Sequence, residues 1–318
     1  HDSSQRFTSH DLRTELLVRI GVAATPEVAI PTLNWLLQSE HELALIITQP
    51  DRPSGRGRLL QQSVVGTWAQ EYAIPIIKPE SSQELVGKIE ELDLVLTIGY
   101  GVLLPENVLS LPRKGFLNLH FSLLPAYRGA APAQRALQNG DLQTGVSVFQ
   151  LDKGMDTGPI FTQKTIVIDP TWRSFELLQH LAALGPEVVR ASFEMIENGQ
   201  SSSEQVGTPS FAPKITKAEA KIDFTQDCAQ IANAIRAFTY EPGAWTVWRD
   251  EPFKICATKH SDLAVGIPGE IFVIDNSVYI STGTNTLEIL RVIPAGKKEM
   301  DAIDWARGAR LIGGEIFG

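Results

Sequence analysis

The chain has 318 residues, 43% of them apolar, and a formal net charge of -9. That length exceeds the usual span of one core, so two domains are expected, and no run approaches the ~18 uninterrupted apolar residues that a membrane-spanning helix needs. A surplus of acid excludes indiscriminate binding to polyanions, so any nucleic acid has to be met by local basic patches.

Residues 1–14 are polar, lack an apolar core segment and begin with His, which fits a tag or an upstream extension better than a signal peptide. Two cysteines, Cys228 and Cys256, make neither a disulfide framework nor a Cys-rich metal site, and they suit a reducing cytoplasm. Six histidines form no H-E-x-x-H or comparable ligand set, so no metal is expected.

An apolar run over 17–23 ends at Thr25-Pro26, where Thr25 can cap and Pro26 can open a helix to about residue 39. A buried-strand pattern over 43–48 follows at once. The opening therefore reads as a βαβ unit with a parallel sheet. It lacks G-x-G-x-x-G, which argues against a dinucleotide site.

Residues 49–58, QPDRPSGRGR, hold two prolines, two glycines and the arginines Arg52, Arg56 and Arg58. This composition predicts a basic loop without regular structure. On composition alone it is a solvated surface loop.

Helix, strand, helix and strand then alternate over 63–72, 74–77, 81–92 and 94–98. Gly99-Tyr100-Gly101 closes the last of these, and glycines at a strand end serve as often for a simple turn as for the close approach of a ligand to the backbone.

From residue 116 the pattern Phe116-Leu117-Asn118-Leu119-His120 alternates, placing Asn118 and His120 on one face of a strand. Taken alone, an amide and an imidazole two residues apart are ordinary hydrogen-bonding residues. They have company. Ser122-Leu123-Leu124-Pro125 follows, then Tyr127-Arg128-Gly129, a small-residue helix start at 130–134, and Asp156 between Gly154 and Gly158.

Strands are expected over 146–151 and 159–168. A long helix over 172–197 is expected to present Phe175, Leu178, Leu181, Leu184, Val188 and Met195, with Gly185-Pro186 as an interruption. The composition shifts at the polar stretch 198–213. Beyond it, a helix over 227–238 and short strands over 246–248, 252–258, 269–274, 278–282 and 286–292 read as a small β domain.

The arrangement from Asn118 to Asp156 resembles the folate-dependent formyltransferase family, and the resemblance covers nearly everything from about residue 17 onward. It implies an α/β fold: a Rossmann-like parallel-sheet catalytic domain over 15–203, a linker over 204–213 and a small OB-like β-barrel domain over 214–318. It implies that Asn118, His120 and Asp156 surround the formyl group of 10-formyl-tetrahydrofolate, that Ser122, Leu123, Leu124 and Pro125 form the turn against which the folate sits, and that Gly99 to Val102 help line that pocket. The basic loop is similar to the insertion loop of members that act on charged initiator tRNA, so Arg52, Arg56 and Arg58 are implied tRNA contacts. Lys217 to Asp223, Arg236 to Phe238 and Pro294 to Lys298 resemble the tRNA-binding carboxy-terminal domain of the same members. From Lys214 onward there are 12 Lys and Arg against 14 Asp and Glu, so RNA contact has to come from clusters such as Lys297 and Lys298 with Arg307 and Arg310.

The implied activity is formyl transfer to the α-amine of methionine on initiator tRNA, with Met-tRNA and the folate as partners and a monomeric, cytoplasmic protein that contacts no membrane. Asn118 is the implied amide donor to the developing oxyanion. His120 is the group that stabilises charge and moves protons, and Asp156 orients it and helps relay a proton. Two departures stand out: Ala24 where the family opening usually has glycine, and Phe121 where related enzymes often carry a small residue. Formyl transfer to a sugar-nucleotide amine is the alternative chemistry, and a tRNA-binding module without chemistry the alternative class.

Overall fold

The computed structural model describes residues 18–54, 59–264, 266–311 and 314–318. Its first strand, β1 (Arg19–Ala24), is buried along nearly its whole length, as an apolar run in a parallel sheet must be. A short 3-10 turn leads into α1 (Ile30–Gln38), with Pro31 in the first helical turn, where its missing N–H is not needed. Thr25 caps nothing: no side chain caps this turn, and the Thr25 hydroxyl accepts from the Gln49 backbone N–H instead.

β2 (Glu42–Ile47) pairs in parallel with β1. The basic stretch is more ordered at its ends than its prolines and glycines predict, because β3 (Arg52–Ser54) and β4 (Leu59–Gln61) pair antiparallel, with Arg52 opposite Gln61. Pro53 is tolerated there because the two-stranded ribbon is all edge. Arg56 and Arg58 lie outside the described residues.

α2 (Val64–Glu71) starts where expected, with the Ser63 hydroxyl accepting from Gly66 N at 2.9 Å. After β5 (Ile76–Ile77) the predicted helix over 81–92 is absent. A 3-10 turn over Ser82–Leu85 stops at Val86, and Gly87 turns back with φ of 81°. Leu85, Ile89 and Leu92 are nonetheless buried together, so the apolar spacing recorded burial rather than a helix. β6 (Leu94–Ile98), α3 (Glu106–Leu109) and β7 (Phe116–His120) follow.

α4 (Pro132–Asn139) ends at Gly140 in the left-handed conformation. β8 (Gln143–Gln150) and β9 (Ile160–Val167) complete a seven-stranded sheet of order β5-β2-β1-β6-β7-β8-β9. It is parallel from β5 to β7, and β8 is antiparallel to β7. α5 (Ser174–Glu197) runs unbroken through Pro186. Gly185 is required there, since a Cβ would stand 2.4 Å from the Thr32 hydroxyl and 2.9 Å from Leu119. The buried stripe of α5 is Leu177, Leu181, Val188, Val189 and Phe193, so Leu181 and Val188 hold their expected places while Phe175, Leu178, Leu184 and Met195 are only half-buried.

By density of packing the described residues divide into two units, one drawn from 1–125, 145–164 and 181–209 and the other from 126–144, 165–180 and 210–318. In the second, α6 (Cys228–Phe238) is capped by the Asp227 carboxylate, which accepts from Ala229 N at 2.8 Å. A six-stranded antiparallel sheet follows, formed by β10 (Trp245–Trp248), β11 (Glu251–Ser261), β12 (Ile271–Ile274), β13 (Ser277–Ser281), β14 (Thr286–Pro294) and β15 (Met300–Asp301). Its order is β10-β11-β14-β13-β12, with β15 on β14. α7 (Ala302–Ala309) was not foreseen from the sequence. The chain end bonds to both edges of this sheet: Ile271 N donates to Glu315 O and Phe317 N to Gly269 O, both at 2.8 Å, while Gly318 N donates to Val247 O at 3.0 Å. Phe317, Phe253 and Trp305 pack beneath it with ring centroids 4.6–6.1 Å apart.

Candidate functional site

The parallel strands β6 and β7 both end on the same edge of the sheet, the edge at which α/β folds place ligands. β7 delivers Asn118 and His120 there. Its register against β8 sets Asn118 opposite Phe149 and His120 opposite Ser147. The His120 ring stands edge-on to Phe149, with centroids 6.3 Å apart and planes at 88°. Packing against an aromatic and burial to 5% exposure fix the ring's orientation. Asn118 is half-buried, and its carboxamide makes no hydrogen bond to another described residue. A donor held on a strand with no internal partner is available to a ligand.

Asp156 is brought to this histidine by the loop between β8 and β9. Its Oδ2 lies 3.8 Å from His120 Nδ1, and the two side chains are 14% and 6% exposed. Asp156 has φ of 54°, a left-handed conformation that aspartate adopts more readily than most residues. The loop is held from within by Asp152, whose Oδ1 accepts from Gly154 N at 2.9 Å and from the Thr157 hydroxyl at 2.6 Å. Gly158 has no alternative, because a Cβ there would lie 1.8 Å from Gln150 O.

The turn after β7 is pinned by one hydroxyl. Ser147 Oγ donates to Ser122 O at 2.6 Å and accepts from Leu124 N at 3.1 Å and from Gln163 Nε2 at 2.8 Å. Gln163 Nε2 also donates to Leu124 O at 2.9 Å. Ser122 and Leu124 are buried, Leu123 and Pro125 half-buried, and the Leu124-Pro125 peptide is cis. Phe121 is buried at 7% exposure.

Beyond β6, Gly99 and Gly101 have φ of 57° and 73°, and Gln49 Nε2 donates to Tyr100 O at 2.7 Å. Tyr100 and Leu104 are buried, whereas Leu103 is 79% exposed. Among the described residues no group of His, Cys, Asp or Glu is arranged to hold a metal ion, and no helix is long and apolar enough to cross a membrane.

The remaining candidates lie elsewhere. Arg52 is exposed on the β3-β4 ribbon. In the second unit Lys297 and Lys298 are exposed and make no ion pair with a described residue. Arg307 is tied to Asp304 at 3.2 Å and to Asn276 at 2.6 Å. Arg236 is engaged internally, donating to the carbonyls of Asp169, Pro170 and Trp172 at 2.8–3.4 Å, and burial lowers its pKa. Lys217 and Lys221 each stand 5.8 Å from the Trp245 ring. Burial, with a hydrogen bond to Asp141, pushes the Tyr127 phenol up to about 12.

Ser147, Gln163, Asp152 and Gln205, whose Nε2 donates to Asp156 O and Gly158 O, support the site without standing out in the sequence as candidates. Ser147 had a signal: it is a lone hydroxyl in the apolar run Val146-Ser147-Val148-Phe149 on a buried strand. The others sit in polar stretches and carry none.

Comparison with known proteins agrees with this layout. The family model described as formyl transferase matches residues 18–191, and that described as formyl transferase, C-terminal domain, matches residues 214–310. A methionyl-tRNA formyltransferase of Streptomyces griseus is 41% identical over 311 residues, 95% of this chain and 100% of the relative. Among solved structures, a methionyl-tRNA formyltransferase from Clostridium thermocellum superposes with a TM-score of 0.56 at 16% identity, covering 84% of this chain and 100% of that one. An N-formyltransferase from Helicobacter canadensis, in complex with folinic acid and dTDP-3-aminofucose, superposes with a TM-score of 0.66 at 18% identity, covering 89% and 100%. At such identities the structural likeness speaks for the fold.

Proposed function

Because the chain belongs to the formyl transferase family through both of its domains, we propose that it transfers the formyl group of 10-formyl-tetrahydrofolate to the α-amine of methionine carried on initiator tRNA. The observation that carries this reading is the buried His120 beside Asp156, on the strand that also presents the Asn118 amide, which bonds to no other described residue. Relatives of full length and 41% identity named for this activity support it.

The amine attacks the formyl carbon, which becomes tetrahedral with its oxygen negatively charged. Asn118 donates a hydrogen bond to that oxygen, a role worth about 3 kcal/mol in oxyanion holes generally. As the C–N bond to the acceptor forms, the amine loses a proton, and the folate nitrogen gains one as it departs. An imidazole suits that exchange because its ordinary pKa, about 6.5, lies near neutral pH. Asp156 orients His120 and stabilises its protonated form. The folate lies against the turn of Ser122, Leu123, Leu124 and Pro125, with residues 99–103 on the adjacent strand end. Exposed Leu103 offers it an apolar contact.

In this reading the catalytic domain spans 15–203, the linker 204–213 and the tRNA-binding domain 214–318. The second domain is an OB-like barrel, and the bonds of residues 315–318 to β10 and to the start of β12 support closure of its sheet. Arg52, Arg56, Arg58, Lys297 and Lys298 meet phosphates, with the arginines suited to bidentate contact. The protein acts as a monomer in the cytoplasm, away from membranes.

The test is direct. Incubating the protein with 10-formyl-tetrahydrofolate and charged initiator tRNA is expected to yield formylmethionyl-tRNA, with elongator Met-tRNA a poor acceptor. Formylation of an amino-sugar nucleotide and not of Met-tRNA would overturn the acceptor assignment.

A further inference from the structure

The stretch 198–213 reads from composition as a plain linker, yet its first half is bound to the Asp156 loop. Ile160 N donates to Ser203 O at 2.7 Å and Ser203 N to Ile160 O at 2.8 Å, so the stretch lies beside the start of β9. Two residues on, the half-buried Gln205 sends its Nε2 to two backbone oxygens, Asp156 O and Gly158 O, each at 2.8 Å. One amide nitrogen carries two hydrogens, and both are used, on the carbonyls of the two residues that flank Thr157.

This is the part of the loop with least freedom to arrange itself otherwise. Asp156 holds a left-handed φ, and Gly158 is pressed against Gln150 O. Such a conformation persists where its surroundings over-determine it. Asp152 supplies restraint from inside the loop and Gln205 from outside it. Few side chains could replace the glutamine. Glutamate has the shape and no donors, asparagine is a methylene shorter, and leucine has neither hydrogen bond.

We infer that Gln205 is a positioning residue for formyl transfer: it clamps the backbone of the Asp156 loop and thereby sets the carboxylate against His120 at the 3.8 Å seen here. The inference rests on the reading of Asn118, His120 and Asp156 as the reacting centre. It gives the linker a role in chemistry as well as in connection.

Two variants test it, Gln205→Glu and Gln205→Leu. Both should lower kcat by about 10- to 100-fold at about pH 8, while KM for folate and for Met-tRNA stays within about threefold. Acid should separate them. The carboxyl introduced by Gln205→Glu faces two carbonyl oxygens, which raises its pKa, and once protonated it again donates one hydrogen bond. Its kcat relative to the parent should therefore recover as the pH falls, whereas that of Gln205→Leu should not. Amide hydrogen exchange over 152–158 should rise in both variants at about pH 8, with no acceptor present. Unchanged exchange, a loss confined to KM, or equal deficits for both variants at every pH would overturn the clamp. If the parent formylates an amino-sugar nucleotide in place of Met-tRNA, the acceptor reading fails and the same kinetic comparison is made on the sugar.

Discussion

His120 Nδ1 and Asp156 Oδ2 stand 3.8 Å apart although 36 positions of sequence separate the two residues, and both side chains are withdrawn from bulk water. Burial strengthens the interaction of a carboxylate with an imidazolium, because less solvent screens it. Replacing His120 by Ala should lower kcat by about 100- to 10,000-fold, the range of general acid-base contributions. Affinity for tRNA should be nearly unchanged. Retained turnover in a formylation assay would remove the imidazole from the chemistry.

Asn118→Ala should lower kcat by about 100- to 1,000-fold, as loss of one oxyanion donor does elsewhere. Binding of a folate without a formyl group, followed by fluorescence titration, should barely change. Equal weakening of folate binding would make the amide a ground-state contact.

Lys297→Ala with Lys298→Ala should raise KM for Met-tRNA and leave KM for folate alone. The two ammonium groups make no ion pair with a described residue, so their removal leaves no carboxylate unpaired. For every RNA phosphate that is no longer neutralised, the slope of log affinity against log salt should fall by about one. Arg56→Ala is expected to act in the same direction. Equal effects on tRNA and folate would exclude these residues from RNA recognition.

Gly158→Ala should destabilise the protein by about 1–3 kcal/mol, the usual penalty for forcing atoms into packed space. The clash is with backbone, Gln150 O at 1.8 Å, so no side chain can swing aside. Thermal unfolding of the variant measures this. An unchanged melting temperature would mean that the loop relaxes freely.

His41 links stability to acid. Burial, opposed by the Glu197 carboxylate 3.8 Å away, lowers its pKa below the ordinary 6.5. Below that value the unfolded chain takes up a proton that the folded chain resists, so acid favours unfolding. His41→Gln should flatten the decline of the urea midpoint as pH falls from 6.5. The same slope in parent and variant would count against it.

Much of this molecule is legible in its residues. The apolar runs of β1, β2 and β6 and the alternation of Asn118 and His120 on β7 identify the parallel sheet and its polar end directly. The helix predicted over 81–92 failed because Leu85, Ile89 and Leu92 have helical spacing yet are buried from a chain of turns, where Gly87 takes a positive φ. Pro186 does not interrupt α5: Gly185 allows the helix to sit close on Thr32 and Leu119, and packing carries it through. The loop restraints were invisible for another reason. Gln205 acts through hydrogen bonds to distant backbone that no local pattern encodes, while Asp152 makes an Asx-type turn with Gly154 that looks like any other surface turn.

The hydroxyl of Ser147 has a consequence for how the protein comes to be competent. It answers Ser122, Leu124 and Gln163 at once, and it can do so only when β8 meets β7 with Ser147 opposite His120. A slip of one residue would offer valine, from 146 or 148, in its place and take this hydroxyl away from Ser122 O, Leu124 N and Gln163 Nε2 together. The register of β8 on β7 and the path of the turn from Ser122 to Pro125 are thus set together, by one side chain.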